Sequence, residues 1–307
     1  MSLHTQLQGI AAFVHTVETG SFTAAAIRLG VSKSATGKSV ARMEARLGVR
    51  LLSRTTRSLS PTPEGQAFYE SCRRVLEELD SAEAMLVSGT RTVSGIVRIN
   101  LPVSFGRLHC MPVLAALATE HPGLALDVSF ADRRIDLAED GIDLVVRLGD
   151  PGDQTSVVGR RIGWQRSVIC ASPDYLARCG RPEAIADLAH HDCLAFAREG
   201  RALPWTVLDD DDAPHVLNLR PRHVVSHGEA LRDAALGGLG VAYLTTWLVG
   251  DDLCRGRLIA LPIRTPAEDS PISVLWPRSR DLTPKVRAVV DALVAAFTPV
   301  PAWDQPR

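Results

Sequence analysis

Residues 63–89 read as one unbroken helix, and its apolar residues constrain the rest of the chain. Phe68, Cys72, Val75, Leu79, Ala82 and Leu86 fall at spacings of 4, 3, 4, 3 and 4, a heptad seam. At 1.5 Å per residue such a helix spans roughly 40 Å. A helix of that length with one narrow apolar stripe needs a surface to lie against. Either its own domain supplies that surface or a second copy of the chain does, and the regular heptad favours a dimer. The helix also divides the chain into a head and a body. The body follows Ser88-Gly89-Thr90-Arg91-Thr92, where the helical pattern breaks and a hinge is expected.

The head reads as short helices. Leu3, Leu7, Ile10, Phe13 and Val17 form one apolar stripe, and Gly20 can end that helix in a left-handed cap. Ser21 is placed to cap a second helix from Phe22 to Leu29, closed by Gly30. Ser32 is placed to cap a third that runs to Leu47 and stops at Gly48. Two short helices joined by a tight turn make a helix-turn-helix candidate. Its second helix carries Lys33, Ser34, Gly37, Lys38, Arg42 and Arg46 on one side, and Ala35 or Thr36, Val40, Met43 and Leu47 on the other. Between Val49 and Thr62, two β-prone stretches flank Arg54-Thr55-Thr56-Arg57, which suits a hairpin wing. The body instead alternates strands (Val97–Leu101, Leu124–Phe130, Asp143–Arg147, Val241–Leu244) with helices, an α/β pattern.

Charge follows the same division. Residues 1–60 hold eight Lys or Arg and two acids, a balance of +6, while the remainder balances at −7. A basic head on an acidic body points to a head that meets a polyanion, although an Arg-rich chain can also reach this by chance. The chain of 307 residues suggests two domains, with a third small one allowed. No run of about 18 apolar residues and no secretory leader is visible, so neither a membrane span nor export is expected. The six cysteines form no Cys-x-x-Cys pair. That spacing argues against a zinc site and a disulfide framework, and for a reduced, cytoplasmic setting. No cofactor is expected.

The head resembles the LysR-type transcriptional regulators. Gly20-Ser21-Phe22-Thr23-Ala24-Ala25-Ala26, Leu29-Gly30-Val31-Ser32-Lys33-Ser34-Ala35, Arg42-Met43-Glu44-Ala45-Arg46-Leu47-Gly48-Val49-Arg50-Leu51-Leu52 and Arg54-Thr55-Thr56-Arg57 carry the resemblance. Leu59-Ser60-Pro61-Thr62-Pro63-Glu64-Gly65 looks like the family's passage from wing to linker, and the Arg-Thr-Thr-Arg wing marks a branch within it. Gly95–Pro102, Gly141–Arg147, Ala171–Leu176, His191–Leu194 and Gly238–Ala242 match later family landmarks in order. The resemblance implies an N-terminal all-α winged helix-turn-helix (1–62) and a linker helix that dimerises (63–91). A C-terminal α/β effector domain, two-lobed and similar to periplasmic binding proteins, would occupy 92–307. Lobe I would be 92–162 with 267–307, and lobe II 163–266, the chain crossing near Ile162-Gly163 and near Thr265-Pro266. The family also implies a homodimer and a tetramer built as a dimer of dimers. One stretch departs from the family, which usually places a bulky aliphatic, a serine and a basic residue at Thr36-Gly37-Lys38. Thr36 weakens an expected core contact, and Gly37 deletes a side chain that often faces DNA.

On this reading the recognition helix enters the major groove of double-stranded DNA, at an operator of imperfect dyad symmetry. Ser34 suits a base edge and Lys33 a guanine edge or a phosphate, with Ser32 capping the same DNA-facing turn, while Gly37 either loses a base contact or lets the helix backbone approach DNA more closely. Lys38 and Arg42 suit phosphates, although Arg42 and Arg46 also have Glu44-side neighbours and solvent as alternatives. Arg54, Thr55, Thr56 and Arg57 would grip the minor groove or phosphates. In the body, ligands of open α/β sheets sit beyond strand ends, near helix N-termini. Ser104 and Phe105 after the first strand, Arg147 and Leu148 at a strand end, and Ser226 and His227 before a helix are the candidates. Together they suit a small carboxylate effector. Arg147 serves equally as a structural ion-pair partner, and His227 equally as a helix cap. No Gly-x-Ser-x-Gly elbow, Walker loop or His-Glu-x-x-His is present, so an enzyme is not expected. His190-His191-x-Cys193 is a poor metal site because adjacent histidines point apart. The remaining alternative is a sequence-blind, nucleoid-type DNA-binding protein with a vestigial ligand domain.

Overall fold

The computed structural model describes residues 3–54, 59–88, 93–133, 137, 140–150, 156–198, 200–209, 211–266, 270–278, 282–298, 301 and 303, with backbone alone at 3, 4, Arg54, 77, 78 and 80–88. The chain forms two compact units, residues 1–95 and 96–307.

In the first unit, α1 (Leu3–Thr19), α2 (Phe22–Leu29) and α3 (Lys33–Leu47) pack around Phe13, Val14, Val40 and Met43. The helix starts form as the capping residues require. Ser21 accepts from Ala24 N at 3.4 Å, and Ser32 from Ala35 N at 3.1 Å. Gly30 turns the chain between α2 and α3 at φ +65°, a conformation that β-carbon sterics make costly for other residues. Thr36 is buried, and its hydroxyl donates to the Ser32 carbonyl at 3.2 Å. The position therefore stays in the core with its polar atom satisfied. β1 (Leu52–Arg54) and β2 (Leu59–Pro61) pair antiparallel, Leu52 opposite Pro61 and Arg54 opposite Leu59. Thr55, Thr56 and Arg57, at the expected wing tip, lie outside the described residues.

Thr62 then starts α4 (Pro63–Ser88), its hydroxyl accepting from Gly65 N at 3.0 Å and donating to the Arg50 carbonyl at 2.8 Å. A β-carbon on Gly65 would stand 1.9 Å from the Leu51 carbonyl oxygen, so only glycine lets α4 meet the wing this closely. Along α4, Phe68 and Cys72 join the core of the unit, while Val75 and Leu79 are 43% and 40% exposed. The Ala82 and Leu86 side chains and residues 89–92 of the expected hinge lie outside the described residues.

The second unit has two lobes. β3 (Gly95–Leu101) leads into one helical run: α5 (Val103–Phe105), a π-helical turn (Gly106–Cys110) and α6 (Met111–Glu120). β4 (Leu124–Phe130), β5 (Leu144–Leu148) and β6 (Val157–Gln165) follow. In lobe II come β7 (Ser167–Ala171), α7 (Pro173–Cys179), β8 (Cys193–Arg198), β9 (Arg201–Ala202), β10 (Trp205–Leu208) and β11 (Pro214–Leu217). β12 (His223–Val225), α8 (Gly228–Leu236), β13 (Val241–Thr245), α9 (Thr246–Cys254) and β14 (Ile259–Ala260) complete it. β15 (Ser270–Pro277) and α10 (Pro284–Phe297) return to lobe I.

The lobe I sheet runs β4-β3-β5-β15-β6 and the lobe II sheet β12-β8-β13-β7-β14. In each, parallel strands are joined by antiparallel ones, β15 in lobe I and β7 in lobe II. Apolar residues of α6 and α10 cover one face of lobe I, among them Leu114, Val289 and Leu293. Lobe II buries separate clusters around Tyr175 and Leu188 and around Leu231 and Val249.

β6 continues past Gly163 to Gln165, which pairs with Ser270. The first crossing between lobes therefore falls at Arg166, beyond the expected Ile162-Gly163, because β15 extends the ladder. The two crossings lie side by side: Gln165 pairs with Ser270, and the Thr265 hydroxyl donates to the Ser167 carbonyl. No described helix is long and apolar enough to cross a membrane.

A candidate DNA-reading helix and an interlobe cleft

The recognition face follows from the period of α3. Thr36, Val40 and Met43 are buried on one side, and Ser34, Lys38 and Arg42 fall on the opposite side, with Gly37 half-buried at the margin and Lys33 in the first turn. Lys33, Ser34, Lys38 and Arg42 are exposed, and no acid among the described residues pairs with these cations. Ser32 sits at the head of the same face, its oxygen engaged in the cap. A β-carbon added to Gly37 would meet nothing within 4 Å, so packing does not demand glycine there.

The sequence reading offered Glu44-side neighbours as partners for Arg42 and Arg46. Glu44 instead accepts from Leu51 N at 2.8 Å and Leu52 N at 3.0 Å. The carboxylate thereby ties α3 to the first wing strand, a role that spacing alone does not reveal. Of Arg54 the structure describes only the backbone, at the end of β1.

In the second unit a cavity of about 310 Å³ lies between the lobes. Ser104, Phe105 and Leu148 of the candidate residues line it. Arg147, Ser226 and His227 are not among the described lining residues, and for Arg147 and His227 the geometry shows why. Side chains alternate along a strand, so Leu148 facing the cleft turns Arg147 to the other side of the sheet. There its guanidinium donates to Asn100 Oδ1 at 3.4 Å, and Asn100 Nδ2 donates to Ser129 Oγ at 3.0 Å. His227 is the N-cap of α8, with Nδ1 accepting from Ala230 N at 3.3 Å, which is the cap alternative of the sequence reading. Ser226 precedes it and is exposed.

The walls that the sequence reading missed are aromatic. Phe196, Trp205, Tyr243 and Trp247 line the cleft with Phe105. Trp205 stacks on Tyr243 with centroids 5.8 Å apart. The polar tips of these rings are engaged: Tyr243 OH donates to the Thr206 carbonyl at 3.1 Å and Trp247 Nε1 to Gln165 Oε1 at 3.1 Å. Phe105 is fully buried and meets Trp247 edge-on at 5.3 Å, with Phe297, Trp303 and His109 around it. Burial pulls the His109 pKa below its ordinary value, partly offset by its bond to the Trp247 carbonyl, to which Nε2 donates at 2.9 Å. Aromatic residues this far apart in sequence carry no local signal that they converge.

A winged helix-turn-helix and a two-lobed α/β domain with a cleft define a DNA-binding regulator with an effector-binding domain. The family description "Bacterial regulatory helix-turn-helix protein, lysR family" matches residues 7–66, and "LysR substrate binding domain" matches residues 90–298. The HTH-type transcriptional regulator CrgA of Neisseria meningitidis serogroup C (strain 8013) is 33% identical over 294 residues, 95% of this chain and 97% of that protein. The HTH-type transcriptional activator AaeR of Escherichia coli (strain K12) is 31% identical over 303 residues, 96% of this chain and 95% of that protein. The solved structure of CrgA superposes with a TM-score of 0.61 at 31% identity, covering 94% of this chain and 98% of that one. Full-length AphB, the Vibrio cholerae virulence activator, gives 0.60 at 25% identity over 97% of this chain and 100% of that one. The chain belongs to the LysR-type transcriptional regulators. It is a DNA-binding transcription regulator with an effector-binding domain.

Proposed function

We propose that the chain reads a specific operator through α3 and the wing, and that a small molecule in the interlobe cleft changes how it does so. One observation carries the reading: Lys33, Ser34, Lys38 and Arg42 of α3 are all exposed around Gly37, with no acid among the described residues paired to the three cations. Lys33 and Ser34, at the helix start, are the base readers. Lys38 and Arg42 hold phosphates, as do Arg54, Thr55, Thr56 and Arg57 of the wing. Residues 1–62 form the reading unit and 63–91 the linker, and 92–307 bind the effector. Two chains pair along the α4 seam, where Val75 and Leu79 are exposed, and two dimers make a tetramer. Such a dimer calls for an operator with imperfect dyad symmetry. A ligand that binds the closed cleft more tightly shifts the population toward closure, and with it the spacing of the reading units.

Fluorescence anisotropy on DNA from upstream of the protein's own gene, with scrambled DNA and a salt series, tests this. The expected result is a preference for the upstream DNA that survives at physiological salt. Lys33→Ala is expected to cost about 1–3 kcal/mol on the operator and little on scrambled DNA. Arg42→Ala weakens both alike and lowers the salt slope by about one. Equal, weak binding to both DNAs that vanishes with salt points to the sequence-blind alternative.

A further inference from the structure

Lobes I and II also meet at a second cavity, of about 670 Å³, that shares a wall with the interlobe cleft: Trp247 and Leu248 line both. A charged pair in its lining joins the lobes. Arg107 comes from the π-helical turn of lobe I and Glu229 from the first turn of α8 in lobe II. Glu229 accepts from Arg107 Nε at 3.3 Å, from Arg107 Nη2 and from the Ser104 hydroxyl, also of lobe I. Desolvation pushes the Glu229 pKa up, but the Arg107 and Ser104 bonds outweigh it and hold the group below its ordinary value. Both partners are therefore charged at neutral pH.

Two uncharged contacts belong to the same cavity. His109, from the same π-helical turn, donates to the Trp247 carbonyl of α9 at 2.9 Å. Trp303, beyond the end of α10, packs on His109 with centroids 4.3 Å apart and on Phe105 at 5.5 Å. Its carbonyl oxygen lies 3.8 Å from where a β-carbon on Gly250 of α9 would stand. The Arg107–Glu229, Ser104–Glu229, His109–Trp247 and Trp303–Gly250 contacts each cross between lobes, so parting the lobes breaks them. Arg107 is 57% exposed and Glu229 24%, so solvent screens their attraction. An ion pair this open to water holds without locking.

We infer that Arg107 and Glu229 form a latch between the lobes, which holds lobe I against lobe II while the cleft is empty and releases when the cleft opens. The latch rests on the reading of the cleft as the effector site for its regulatory meaning. An effector moves the lobes only by binding the latched and released arrangements unequally, and the latch sets their populations beforehand. Trp247 connects the two cavities: a molecule that displaces it in the cleft also disturbs the His109 bond.

The test measures how close the lobes stay within one chain. A β-carbon on Gly228 would lie 3.6 Å from Ser104 Oγ, so Ser104→Cys with Gly228→Cys sets two thiols across the junction within disulfide range. Ser104→Cys weakens one bond to Glu229 and leaves the two from Arg107. Cys179 and Cys254, the exposed native thiols, are replaced by serine. The full-length protein is equilibrated in glutathione buffers, and the oxidised fraction gives the effective concentration of one thiol for the other. Crosslinks between chains run as larger species on a non-reducing gel and are left out. Arg107→Ala and Glu229→Gln are each expected to lower that concentration at least about twofold, and the double variant no further, as partners in one interaction do. Arg222→Ala, which breaks the Arg222–Asp192 pair inside lobe II, is expected to leave it unchanged. A smaller fall in both single variants overturns the inference. So do falls that multiply in the double variant, an equal fall in Arg222→Ala, and a thiol pair that fails to oxidise with the latch intact. The readout needs no ligand, so each of these outcomes leaves the cleft reading standing.

Discussion

At the scale of single residues, burial separates the six cysteines into two kinds. Cys72, Cys110, Cys170 and Cys193 are buried, while Cys179 and Cys254 are exposed. Desolvation pushes the Cys72 and Cys193 thiols up to about 11 and Cys170 to about 12, the last two with help from nearby aspartates, and raises Cys110 further. A thiol reagent at about pH 8 needs the thiolate and access to it, so two thiols are expected to react in the native protein and all six in urea. A different argument applies to Gly37. It is helical, and open space surrounds its missing β-carbon. Gly37→Ala should therefore stabilise the first unit by about 0.5–1 kcal/mol in urea unfolding. On the proposed reading of α3, operator affinity should fall in the same variant, because the added methyl would hold the helix backbone away from the groove.

Elements show where the sequence was legible and where it was not. The head could be read because its signals are local. Serine caps, the left-handed glycine between α2 and α3 and the apolar period all act within one turn of the residues they organise. The strands of the body were legible for the same reason, since Val97, Ile99 and Leu101 alternate within a single segment. The π-helical turn at Gly106–Cys110 and the β10–β11 hairpin were not, because each depends on what the rest of the fold presses against it. The cleft divided along the same line. Ser104, Phe105 and Leu148 could be placed from strand ends, but Arg147 points to the opposite side of its sheet and the aromatic walls come from four separate segments.

Glu44 is the clearest residue whose work lies between elements. Removing its carboxylate in Glu44→Ala leaves the N–H groups of Leu51 and Leu52, both buried residues, without their acceptor. A loss of about 1–3 kcal/mol in thermal or urea unfolding is expected. DNA affinity should weaken as well, because the wing is no longer registered against α3.

For the whole molecule, the proposed assembly uses the exposed part of the α4 seam, Val75 and Leu79. Leu79→Asp would place a charge in that proposed apolar interface, so sedimentation should report a smaller species than wild type at the same concentration. Operator affinity should drop with it, since two half-sites are then no longer read by one particle. The lobes carry a different constraint. Their two crossings are hydrogen-bonded to each other, through Gln165 with Ser270 and through Thr265 with Ser167. On the proposed reading of the cleft, tethers held this close together favour turning of the lobes about the crossing over sliding of one lobe past the other. Effectors would then differ more in how far they carry the lobes along one arc than in the direction of travel, and a ligand too small to carry them along it would bind without a signal.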